Sequence, residues 1–139
     1  MPRQIAQIVL FCFQKRRREM PLVVVTRGPE ITDERIKPLL DHLRQIVAEE
    51  LTVPGTDGEL NANEIEVRVQ ETRSLDQNVP HIAITIWANE YPKRLANLDE
   101  RRRRIAQRVR DLIPDVDGNL WILLQPGSFE EWKAKTSSN

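Results

Sequence analysis

The pattern of this 139-residue chain predicts an α/β (α+β) fold: two β-α-β units forming a four-stranded mixed sheet with two helices on one face. Two observations carry that prediction. Apolar segments recur in the order strand, helix, strand, and then strand, helix, strand again, over two stretches of about fifty to sixty residues each. Each helical segment has a single apolar stripe. Right-handed crossovers make the two strands of each unit parallel and set both stripes on the same side of the sheet. The other face, with Arg68, Thr85 and Trp87, is left open as either a ligand surface or an oligomer interface.

The first strand is the run Met20-Pro21-Leu22-Val23-Val24-Val25-Thr26-Arg27, with three β-branched residues in succession. Gly28-Pro29-Glu30 turns the chain, and Thr32 is the expected N-cap of a helix, with Asp33 and Glu34 at the positive end of its dipole. Ile31 and Ile36 occupy the positions of a hydrophobic staple. Ile36, Leu39, Leu40, Leu43, Ile46, Val47 and Leu51 repeat at helical spacing to about residue 50. Pro38 is expected to kink this helix or delay its start. Residues 52–63 form a polar connection, after which Ile65, Val67 and Val69 alternate with Glu66, Arg68 and Gln70 as a half-buried strand. Ile82, Ile84 and Ile86 mark the third strand. A loop with Tyr91 and Pro92 leads to Asn97-Leu98-Asp99-Glu100, which fits a capping box. The helix it opens places Leu98, Ile105, Ala106, Val109, Leu112 and Ile113 on one side. Leu120 to Leu124 is an unbroken apolar run and reads as a well-buried last strand. Ser128 to Trp132 is expected to open a short terminal helix before a polar tail.

Composition narrows the function. With 40% apolar and 30% charged residues, the chain reads as one soluble globular domain. Residues 1–19 hold five of the 21 basic residues and one of the 21 acidic ones, which leaves 16 and 20, a net charge of −4. A mildly acidic body gives no electrostatic reason to bind nucleic acid or an anionic membrane. Cys12 is the only cysteine and His42 and His81 are the only histidines, too few for a disulfide framework or a zinc site. No cofactor motif or phosphate loop is present, so neither a cofactor nor a metal is expected. A cytoplasmic location is expected from the lack of export and membrane signals.

The first nineteen residues divide from the rest. Ile5 to Phe13 is a mostly apolar run too short to span a bilayer, and Lys15 to Arg18 follow it, the reverse of a signal peptide. Two readings stand: an extra N-terminal strand or arm, or a mis-assigned start. The second is favoured because Lys, Arg and Glu have purine-only codons, so Lys15-Arg16-Arg17-Arg18-Glu19 before Met20 fits a translated ribosome-binding site. Removal of Met20 would then leave Pro21 with a free secondary amine, which titrates near pH 8 (about 7.7–8) where an amide has no useful basicity. Pro2 also follows a methionine, but no strand–helix unit follows it directly. The expected division is an extension over 1–19, a domain over 20–127 and a tail over 128–139.

From Pro21 onward the chain resembles the tautomerase superfamily. Thr32-Asp33-Glu34-Arg35 opens the first helix at about the same distance from the proline as in 4-oxalocrotonate tautomerases. Leu51-Thr52-Val53-Pro54 and Ile65-Glu66-Val67-Arg68-Val69-Gln70-Glu71 look like that family's helix end and second strand. The doubled length and the stretch from His81 to Ile113 are more similar to the 5-carboxymethyl-2-hydroxymuconate isomerase branch. The resemblance implies a homotrimer, Pro21 as general base and arginines that anchor a small carboxylate substrate. Arg68 matches the second-strand arginine if Val67-Arg68-Val69 sets the register; aligning on Glu71 puts Glu66 there. Ile31 stands where the family has an arginine before the first helix, which leaves Arg27, Arg73 and Arg94 as substitutes. Trp87 is a further candidate substrate contact, with packing or subunit contact as its plainer role, as for Trp132. Arg101 to Arg104 read as a solvated helix face and His81 as structural.

Two function classes follow. One is a cofactor-independent tautomerase or isomerase acting on a small 2-oxo or 2-hydroxy-enoic acid, with hydration or dehalogenation as neighbouring chemistries. The other is a binding module, either a catalytically inactive tautomerase-like chain or a ferredoxin-like domain. RNA-binding ferredoxin-like domains use exposed aromatics on the central strands; here the strands offer Trp87 and Trp121 but no cluster.

Overall fold

Thr32 opens the first helix with an extended backbone and an Oγ1 that accepts from the Arg35 amide at 3.3 Å, satisfying an orphan donor of the first turn. The computed structural model describes residues 19–135. Expectations that fall on residues 1–18, including Pro2, Cys12 and the runs Ile5 to Phe13 and Lys15 to Arg18, lie outside the described residues. Helix α1 spans Asp33–Leu51 and buries Ile36, Leu39, Leu43, Ile46, Val47 and Leu51. Pro38 does not delay its start. The missing amide falls on an exposed part of the second turn, where water can meet the freed Glu34 carbonyl. The buried stripe holds the helix together around it.

The sheet has strands β1 (Leu22–Arg27), β2 (Glu66–Glu71), β3 (Ile82–Asn89) and β4 (Gly118–Gln125). Their order is β2-β1-β3-β4. β1 and β2 are parallel, β3 and β4 are parallel, and the two units meet through antiparallel β1 and β3. Alternation decides the faces: Val23, Val25, Ile82, Ile84 and Ile86 are buried with the helices, while Leu22, Val24, Thr85 and Trp87 fall on the other side. The core joins these strand residues to α1 and to Ile105 and Val109 of the second long helix. Among the described residues, no helix is long and apolar enough to cross a membrane.

Four local expectations need correction. The connection after β3 contains a short helix, α2 (Pro92–Ala96), followed by α3 (Leu98–Leu112). Asn97 makes no side-chain cap; its Oδ1 accepts instead from Arg101 Nε at 2.7 Å. β4 is an edge strand and not well buried: Ile122 is its one buried residue and Trp121 is 63% exposed. Residues 128–135 form no helix, and Trp132 is exposed.

Arg102, Arg103 and Arg104 lie on an exposed face of α3 as expected, but Arg101 does not. Its Nη1 donates to the Glu50 and Thr52 carbonyls at 2.9 and 3.1 Å. Arg104 and Arg108 reach the Glu50 carboxylate at 2.8 and 3.3 Å. Three cations of α3 thus gather at the C-terminal end of α1, where the dipole favours positive charge. Burial, and then repulsion from Arg94 and Arg104, lowers the Arg101 pKa.

Leu43 is fully buried between α1 and the sheet, so Leu43→Ala should lower the unfolding free energy in urea by about 2–5 kcal/mol. Arg68→Ala, which removes an exposed ion pair with Glu66, should change it by less than about 1 kcal/mol.

Candidate functional site at the start of β1

Pro21 is buried at the entry to β1, and its carbonyl accepts from the Glu66 amide at 3.0 Å, fixing the strand entry to the start of β2. The end of β3 lies alongside, with Leu22 opposite Trp87. Beyond Asn89, Tyr91 begins a single helical turn, with Pro92 at its first position where the fixed φ suits a helix. That turn carries Arg94 back into the protein.

Arg94 is 0% exposed. Its Nε donates to the Leu51 carbonyl at 2.8 Å, Nη2 to Gly58 at 3.1 Å and Nη1 to Asn89 at 2.9 Å. The guanidinium therefore ties the end of α1, the following loop and the end of β3 together. Its Cζ sits 4.8 Å from the Tyr91 ring centre, within cation–π range. Glycine at position 58 lets the loop approach the Tyr91 ring closely, since a Cβ there would lie 2.9 Å from the ring and displace it.

Three backbone carbonyls satisfy hydrogen bonds but leave the positive charge without a counter-ion. Glu19 supplies it. The Glu19 carboxylate is buried, with Oε1 2.5 Å from Arg94 Nη1 and Oε2 accepting from the Asn89 amide at 2.7 Å. Oε1 itself accepts no aligned hydrogen bond, so its contact with Arg94 is an ion pair only. A single residue, Met20, separates Glu19 from Pro21. Burial first, and then the charge of Glu19, raises the Tyr91 pKa, against an opposing pull from Arg94.

The candidates read from the sequence fall into three places. Pro21, Trp87 and Arg94 share the end of the sheet where β1 begins and β3 ends. Arg27 and Arg73 sit at the opposite end, about 17 Å away along β1 at roughly 3.3 Å per residue. There Arg27 bonds Asp33 at 2.5 Å and the Ile31 carbonyl at 3.4 Å, and the Arg27 carbonyl accepts from Thr72 beside Arg73. Arg68 stands on the open face of edge strand β2 opposite Val24, exposed and paired with Glu66 at 2.6 Å. Sequence reasoning missed Glu19 and the Asn89 amide. The one trace of Glu19 was an acid closing a run of four basic residues.

No protein-family model and no curated protein matches the chain. Solved structures do match, and they show the fold alone: an α+β fold with a four-stranded mixed sheet, like that of the structures that follow. A macrophage migration inhibitory factor-like protein from Entamoeba histolytica matches with a TM-score of 0.54 at 16% identity, over 86% of this chain and 98% of its own. A malonate semialdehyde decarboxylase matches with a TM-score of 0.56 at 15% identity, over 84% and 92%. A fused 4-OT symmetric trimer matches with a TM-score of 0.54 at 15% identity, over 76% and 85%.

Tyr91 is the only tyrosine, so ultraviolet titration reads it alone. Its midpoint should lie above the ordinary 10.0, and Glu19→Gln should lower it, because a neutral neighbour no longer opposes the phenolate. The folded value is the raised one, so this group's share of stability is present below pH 10.0 and is lost as pH rises through the folded value.

Proposed function

We propose that the protein is a cofactor-independent tautomerase or isomerase of a small 2-oxo or 2-hydroxy-enoic acid, active in the form whose first residue is Pro21. The observation that carries this reading is Arg94: a fully buried guanidinium that already holds a carboxylate beside the start of β1. In the Pro21-first form that carboxylate is gone and the substrate's own takes its place on Arg94. The Pro21 nitrogen, then an amine in a buried setting, loses solvation of its charged form and stays free base near neutral pH. It removes a proton next to the substrate carbonyl and returns it to another carbon, while the carbonyl oxygen takes up negative charge as the enol forms. Trp87, beside Leu22, offers an apolar wall. Among the arginines considered, Arg94 is favoured over Arg27 and Arg73 by position and over Arg68 by burial.

The open sheet face supports the second part of the proposal, a homotrimer. Leu22, Val24, Trp87, Trp121 and Leu123 share that face, with Trp87 38% and Trp121 63% exposed. An apolar sheet face of this kind is suited to covering by other copies. A small carboxylate substrate, no nucleic-acid or membrane partner, and action in the cytoplasm complete the proposal. A catalytically inactive binding module is the alternative for a chain that keeps residues 1–19 ahead of Pro21, since the Pro21 nitrogen is then an amide.

Mass spectrometry of the natively expressed protein should give a mass beginning at Pro21. That form should ketonise phenylpyruvate or 2-hydroxymuconate, and Pro21→Ala should abolish turnover, a loss of at least about 10²-fold for removal of a general base; unchanged turnover would refute the role. Light scattering should give a trimer mass, and Trp121→Glu should yield a smaller species by placing a charge on an apolar interface.

A further inference from the structure

Glu19 and Arg94 raise a question that the proposed chemistry does not answer: why an acid outside the sheet should be built into its interior. Both side chains are at least nine-tenths buried, Arg94 fully and Glu19 to within 5%. The two oxygens of Glu19 meet two different groups, a guanidinium in an ion pair and the backbone amide of Asn89 in a hydrogen bond. This arrangement belongs to the rigid part of the protein, because Asn89 ends a core strand and Arg94 is locked by three carbonyls from separate segments. Glu19, in contrast, is held to Asn89 and Arg94 by its side chain and lies ahead of the first strand. Donors fixed by the fold and an acceptor brought by the segment ahead of the first strand describe a receptor and its ligand. The geometry is also imperfect for Glu19, whose Oε1 faces Arg94 without an aligned hydrogen bond.

We infer that Arg94 and the Asn89 amide form a carboxylate cradle that the chain fills with its own Glu19, and that vacating Glu19 opens it to the carboxylate of a small free acid. The inference rests on the proposed function for the identity of that acid as substrate, and not for the existence of the cradle. Its physical basis is the asymmetry of buried charge. Removing one partner of a buried ion pair leaves the other without compensation and is strongly destabilising, so an empty cradle draws an anion from solution. Glu19 and a substrate carboxylate would then exclude one another, and the residues ahead of Pro21 would block the site twice over, by acylating the proline nitrogen and by filling the anion position.

The test uses the full chain carrying Glu19→Ala and follows thermal unfolding in rising sodium acetate, with equal concentrations of sodium chloride alongside. The expected result is a midpoint that climbs with acetate and stays in place with chloride, while the unsubstituted chain responds alike to both salts. A variant that shows no acetate response, or one equal to that of the unsubstituted chain, overturns the cradle. Should Glu19→Ala not fold in chloride, refolding yield from urea becomes the readout. Recovery in acetate and not in chloride supports the cradle, and equal yields in the two salts overturn it. Acetate has no enol to form, so this result is independent of whether the Pro21-first form ketonises any substrate.

Discussion

A guanidinium withdrawn from water must find a partner for each donor and a negative charge for its cation, and Arg94 meets both requirements inside this fold. Its carbonyl partners belong to the end of α1, the loop that follows and the end of β3. Those segments are distant in sequence, and Arg94 adds hydrogen bonds that tie them to one another where they meet. The demand for a counter-ion then reaches back to Glu19. The start of β1, where Pro21 sits, is shaped by how that one charge is neutralised.

The same residue type does different work a few residues later. Arg101, Arg104 and Arg108 also bind the end of α1, but from a half-exposed helix face, using carbonyls and the carboxylates of Glu49 and Glu50. Water screens those pairs, and they orient α3 against α1 without closing off a site. Arg27, at the far end of β1, is saturated by Asp33, Glu71 and the Ile31 carbonyl. Among the arginines of the described residues, Arg94 alone combines burial with closeness to Pro21.

Short-range signals were readable in the sequence and long-range ones were not. The cap at Thr32, the stripe of α1 and the alternation of Ile82, Ile84 and Ile86 depend on spacing within one element, and the tandem order of elements fixed the mixed sheet. The helix Pro92–Ala96 was missed because five residues opening on a proline look like a turn. β4 was expected to be buried because its apolar run is continuous; its place at the sheet edge, which decides the matter, is a property of topology. Arg94 stood among several candidate arginines because nothing within a few residues of it marks burial. Its partners lie at positions 19, 51, 58 and 89, and only folding brings them together.

Read from either edge, the sheet runs outer strand, inner strand, inner strand, outer strand, with the inner pair antiparallel. The two β-α-β units are thus related by an approximate half-turn through the middle of the sheet. That pseudo-symmetry gives the entry to β1 a counterpart at the entry to β3, where Pro80 stands two residues before Ile82 in a hollow of about 930 Å³ lined by Thr26, Arg73, Pro80 and Ala83. Wherever translation begins, the Pro80 nitrogen stays acylated by Val79. The scaffold is therefore twofold in shape, while the proposed function makes it single in reactive potential and leaves the counterpart hollow free to diverge.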